Sequence, residues 1–117
     1  MRIVGEAAAS YARAGYFTVV DGIVLPRWFL VPLRDALNAA GFAVAYVVLR
    51  APLEMCAERV AAREGEAAPV RGAVEGIWAQ FVDLGRYEPH AIDVTDATGA
   101  QAVEAVDTAL GNGTHLV

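Results

Sequence analysis

The 117-residue chain contains no lysine: all nine basic residues are arginine. Chemistry that needs a Schiff-base or phosphate-loop lysine therefore cannot run on these residues alone. A single cysteine, Cys56, excludes an internal disulfide framework and a thiolate metal cluster, and predicts a cytoplasmic compartment. Ser10 is the only serine, so there is no Ser nucleophile elbow, and no HExxH motif is present. Charge is scarce at 20% and its balance is acidic, −5, which argues against binding driven by neutralisation of nucleic-acid phosphates. The uncharged apolar run Gly41 to Leu49 is far short of the ~20 residues of a membrane span. The opening MRIVGEAAASYARAG carries Glu6 and Arg13 and lacks the apolar centre of a secretory signal.

What is abundant is apolar surface. Hydrophobic residues make up 56% of the chain, enough for one domain with a real core, placed at residues 1–110 with a frayed tail at 111–117. Periodicity predicts helices over 2–14, from Pro32 to Ala40, from Pro52 to Arg63, from about Ala73 to Leu84, and from Thr98 to Leu110. Gly15 and Gly41 serve as stops, and Thr98 with Gln101 has capping-box spacing. Val103, Val106 and Leu110 are expected inward on the last helix, and Val74, Ile77, Trp78 and Phe81 on the one before it. Buried strands are predicted at Tyr16–Val20, Ala43–Leu49 and Ala91–Val94. The 64–72 stretch reads as a mobile loop. Helices alternating with strands that are apolar on both sides predict an α/β three-layer fold with a parallel sheet, whose ligands bind beyond the carboxyl ends of the strands.

Those ends carry Asp21-Gly22, Arg50-Ala51 and Thr95-Asp96. Asp21 follows an apolar strand and precedes Gly. It suits an acid that holds Mg²⁺ through water or accepts a proton from a substrate hydroxyl, and equally a strand-ending Asp that starts a turn. Arg59 and Arg63 lie four apart on one helix face. An anion such as a polyphosphate would offset their repulsion, and a helix C-terminus favours cations in any case. Arg71 could join them or be solvated. Arg27 could hold an anionic or polar substrate or be an ordinary surface Arg. His90 and Cys56 read as structural.

With these residues in place, the chain resembles the latter two-thirds of a small P-loop kinase of the chloramphenicol phosphotransferase, gluconate kinase, shikimate kinase and zeta-toxin-like group. The resemblance covers about residues 2–110. FTVVDGI resembles the Walker B motif, with Asp21 as its acid. AVAYVVLRAPLEMCAERVAARE resembles the strand, helix and lid entry, which implies nucleotide contacts for Arg59 and Arg63. FVDLGRYEPHAIDVTDATGAQ resembles the segment across the last strand, which implies adenine contacts for Asp93, Val94, Thr95 and Asp96.

The resemblance implies ATP, Mg²⁺ and a small-molecule phosphate acceptor, with no nucleic acid or membrane partner. The family's G-x-x-x-x-G-K-[ST] loop and first strand have no counterpart here. The expectation is thus a truncated fold of about three strands and five helices, inactive alone. Two arrangements follow: a C-terminal part of a kinase, or a non-catalytic oligomeric module whose copies pair across the gap left by the missing strand. A receiver-like signalling domain is disfavoured, because it too needs a lysine.

Overall fold

A computed structural model describes residues 1–67 and 69–117. They gather into two compact units: Met1–Tyr46 with Gly113–Val117, and Val47–Asn112.

The first unit is built on two helices, α1 (Arg2–Arg13) and α2 (Val31–Ala39). Ala8, Ala9, Leu33 and Leu37 form its buried cluster, with Val20, Ala40, Phe42 and Val44 packed against it. The helices can approach because Gly5 is buried at their crossing: a Cβ there would stand 3.4 Å from Leu33 Cδ1.

Both helices stop where the sequence predicts, and for the same reason. Gly15 (φ +92°) and Gly41 (φ +89°) take the left-handed conformation. This lets Gly15 N–H donate to Ala12 O at 3.0 Å and Tyr16 N–H to Tyr11 O at 3.1 Å. The second helix repeats the pattern, with Gly41 donating to Asn38 at 2.9 Å and Phe42 to Leu37 at 3.0 Å. A π-helical turn over Pro26–Leu30 leads into α2, and Leu30 is buried.

The strand expected at Tyr16–Val20 does not form. The segment carries no regular secondary structure, and its backbone makes no ladder bonds among the described residues. Nor is it buried: Phe17 is 82% and Val19 74% exposed, while Val20 turns in to the core. β-propensity favours a strand here, but a strand also needs a neighbour to pair with. The tail expected to fray is instead held. Ala45 and Leu116 form an antiparallel bridge, Tyr46 N–H donates to His115 O at 2.9 Å, and Val117 N–H donates to Val44 O at 3.0 Å.

The second unit carries a two-stranded parallel sheet of β1 (Val48–Arg50) and β2 (Ala91–Asp93), in register Val48↔Ala91, Leu49↔Ile92 and Arg50↔Asp93. The architecture is mixed helix and sheet with one parallel pair, and the ladder has two strands rather than three among the described residues. Coverage on both faces, expected for β1, is not found either, since Leu49 is 53% exposed.

Three helices accompany the sheet: α3 (Leu53–Glu64), α4 (Arg71–Ala79) and α5 (Gly99–Asn112). Pro52 caps α3, as its fixed φ and missing N–H allow. Within the loop expected at 64–72, Gly65–Ala67 form a 3-10 turn, α4 already begins at Arg71, and Ala68 lies outside the described residues. On α4, Val74 and Trp78 are half-buried and Ile77 is exposed. On α5, Val103 faces out at 69% exposure, because the inward stripe runs through Ala102, Ala105, Val106 and Ala109. The capping box forms as predicted: Thr98 N–H donates to Gln101 Oε1 at 2.9 Å and Gln101 N–H to Thr98 Oγ1 at 3.2 Å. No helix of the described residues is long and apolar enough to cross a membrane.

Candidate functional site

The first unit supplies one candidate acid. Asp21 follows the apolar segment Tyr16–Val20, just before a bend at Gly22. It is exposed and has no hydrogen bond or ion pair among the described residues. Its carboxylate is therefore available, and nothing fixes its rotamer. Arg27, in the π-helical turn, is exposed as well.

In the second unit the arginines expected to act together are separated. A groove of about 310 Å³ opens between α3 and the start of α4, floored by Ala57, Val60 and Val74, with Glu54, Glu58 and Arg71 on its walls. Arg71 spans to Glu54 through both guanidinium nitrogens. That bond draws the Glu54 carboxyl below its ordinary range and raises the Arg71 guanidinium further. At about 100° per residue, Arg59 and Arg63 fall on nearly the opposite flank of α3 from Glu54, Glu58 and Ala61. Neither lines the groove. Arg63 donates to its neighbour Glu64 at 2.6 Å, whereas Arg59 is exposed and unpaired among the described residues. With two carboxylates to one guanidinium, the groove is net acidic and repels a polyphosphate while Glu54 is charged.

The carboxyl ends of β1 and β2 hold the densest polar network. Arg50 Nη1 donates to Phe81 O and Val82 O, each at 3.2 Å, and Nη2 meets Glu88 Oε1 at 2.5 Å. The other Glu88 oxygen accepts Leu84 N–H at 3.0 Å. The Arg50 bond first, then the Leu84 N–H, holds the Glu88 carboxyl below its ordinary value. Two residues past β2, Thr95 donates both its hydroxyl, at 2.5 Å, and its N–H, at 2.9 Å, to Asp93 Oδ1. These bonds keep the Asp93 carboxyl low. Val94 N–H then donates to Arg50 O at 2.9 Å and Ala97 N–H to Val94 O at 3.2 Å, so the turn is pinned along its length. His90 packs its ring 5.8 Å from Tyr87, and the Cys56 thiol lies 3.7 Å from Ala51 O, both consistent with structural roles.

Residues 1–83 match the family model for the AAA domain. The chain belongs to the AAA domain family. That makes it P-loop NTPase-like, with the nucleotide-binding, kinase-like character of the family. The match covers Asp21, Arg27, Arg59, Arg63 and Arg71; Asp93 and Thr95 lie beyond it. No curated protein matches the chain.

Sequence reasoning placed Arg50 at a strand end and Glu54 in a first helical turn, but missed what each holds. Glu88 gave no signal at all, because its role depends on a partner 38 residues away.

Proposed function

We propose that these residues supply the acidic strand end and the arginine-bearing helical arm of an ATP-dependent small-molecule phosphotransferase. The chloramphenicol phosphotransferase, gluconate kinase, shikimate kinase and zeta-toxin-like group is the subfamily we favour. The observation that carries this reading is the AAA domain match, which spans both Phe17–Ile23 and Arg59–Arg71.

Asp21 suits a water-mediated Mg²⁺ ligand. It is an oxygen donor, exposed and uncommitted, and Mg²⁺ keeps several waters while taking only one or two carboxylates beside substrate phosphates. The described residues offer no cluster of three or more acidic, His or Cys ligands, so Asp21 would act beside phosphates rather than in a protein cage. When bound, Mg²⁺ neutralises charge developing on the transferred phosphoryl group.

Arg59 and Arg63, projecting from one flank of α3, would face the nucleotide phosphates. Arg71 would contribute only after leaving Glu54. Asp93 and Thr95 are tied to each other and would offer adenine a rigid edge. Arg27 would meet the phosphate acceptor. With no lysine to reach the terminal phosphates, these 117 residues alone would bind ATP weakly and turn nothing over. A second reading, a non-catalytic interaction module of the same fold, is favoured by the exposed apolar side chains of Tyr16, Phe17 and Val19.

Titrating Mg–ATP into isotope-labelled protein and following amide shifts tests the first reading. Millimolar binding is expected, with shifts at Asp21–Gly22, Arg59–Arg71 and Asp93–Asp96. Micromolar affinity would overturn the weak-binding claim, and shifts confined to other segments would overturn the site.

A further inference from the structure

Arg50 ends β1, where ligands of a parallel sheet bind, yet it has no part in the phosphotransferase reading. Its guanidinium donates to the Phe81 and Val82 carbonyls, each at 3.2 Å, which lie just past the C-cap of α4, and Glu88 braces it from another side. Trp78, in the last turn of α4, donates its indole N–H to Ala51 O at 2.9 Å, one residue after Arg50. Three hydrogen bonds thus tie the carboxyl end of α4 to Arg50 and Ala51. A cation at this end also complements the helix dipole.

The other end of α4 is held differently. Arg71 is its first residue and reaches Glu54 of α3 across the groove. Both side chains are more than half exposed, at 53% and 70%, and an exposed ion pair holds less firmly than part-buried, charge-assisted bonds. The nine residues of α4 make a lever about 13 Å long, so a tilt of about 5° at the held end moves the Arg71 end by about 1 Å. A misplacement of that size is costly to a charged contact that must be oriented. Once Arg71 leaves Glu54 for a phosphate, the bonds at Arg50 and Ala51 are what remain to orient it.

We propose that Arg50 is a positioning residue: by holding the carboxyl end of α4 on the end of β1, it sets where Arg71 meets a phosphate, without touching the phosphate itself. The inference rests on the phosphotransferase reading, in which Arg71 binds phosphate. Lysine at this position would keep the charge but lose the fork that spans two carbonyls and a carboxylate.

A double-mutant cycle in Glu54→Gln protein tests it, with inorganic tripolyphosphate as the probe and calorimetry as the readout. In that background Arg71 has lost its partner, and the Arg50 end orients it. Arg71→Ala should weaken binding about fivefold and Arg50→Lys about threefold, whereas adding Arg50→Lys to Arg71→Ala should change nothing further. Circular dichroism checks that each variant folds. Should Arg50→Lys fail to fold, Trp78→Phe, which keeps a ring and loses only the bond to Ala51 O, takes its place in the cycle and the same outcomes decide. Equal weakening with and without Arg71 would mean that Arg50 acts on the phosphate directly or on the fold at large, and would overturn the inference. Weakening by Arg71→Ala alone, with Arg50→Lys silent, would overturn it too and leave the phosphotransferase reading standing. No effect of Arg71→Ala would sink the phosphate role of Arg71 itself, and the inference with it.

Discussion

Glu88 shows how one carboxylate can join three segments. Its two oxygens take a guanidinium from the end of β1 and a backbone N–H from the turn after α4, while the same guanidinium holds the Phe81 and Val82 carbonyls. Because the folded carboxyl lies below its ordinary value of 4.5, the unfolded chain binds the proton more readily. The contribution to stability is therefore whole at neutral pH and is lost as the pH falls below about 4.5 and through the depressed folded value. Glu88→Gln should lower the urea midpoint at pH 7 and have progressively less effect toward pH 3. Urea melts across that range check it, and an equal loss at both ends would show that packing, not charge, is what the side chain supplies. Glu54 poses the opposite case, since its partner is more useful released. Glu54→Gln should free Arg71 and make the groove less acidic, strengthening binding of inorganic tripolyphosphate a few-fold with little change in fold. Calorimetry with tripolyphosphate reads this directly.

At the scale of elements, end signals were more legible than burial. The reciprocal bonds of Thr98 and Gln101 follow from a spacing visible in the sequence, and Thr98→Ala should cost about 1 kcal/mol, read as a lower denaturation midpoint with α5 exchanging fastest at its first turn. Gly15 and Gly41 were equally legible, because the left-handed φ after a helix is a local requirement that glycine meets at least cost. Burial is not local. Val103, expected inward with Val106 and Leu110, faces out, and Ala102, Ala105, Val106 and Ala109 define the packed face of α5. The residue types of Tyr16–Val20 predict a buried strand, and none forms, since pairing and burial depend on a neighbour the segment's own residues do not encode. Among the site residues, Asp21 and the Arg59–Arg63 spacing could be picked out from type and position. That Arg71 faces Glu54 across a groove, on the far flank of α3 from those two, depends on how α4 returns along α3.

At the scale of the whole molecule, the chain's two ends belong to the same unit. The last five residues join Met1–Tyr46 rather than the α5 unit that precedes them in sequence. Their hold is specific: two backbone hydrogen bonds close on either side of the Ala45–Leu116 bridge, and His115, 7% exposed, is the buried side chain of the tail. Composition suggested fraying, because Gly111, Asn112 and Gly113 lie together. Instead α5 runs through Asn112 and Gly113 turns at φ +67°, which redirects the chain into the bridge. Ending the chain at Gly113 should then remove support from the first unit selectively. Amide exchange at Val44–Tyr46 should quicken about tenfold, corresponding to about 1.4 kcal/mol of lost protection. Smaller increases are expected in α1 and α2, and β2 and the middle of α5 should keep their rates. Hydrogen exchange with fragment separation resolves the segments. A uniform rise across both units would mean that the tail stabilises the fold as a single cooperative body, and no rise anywhere would mean that the bridge carries no stability in solution.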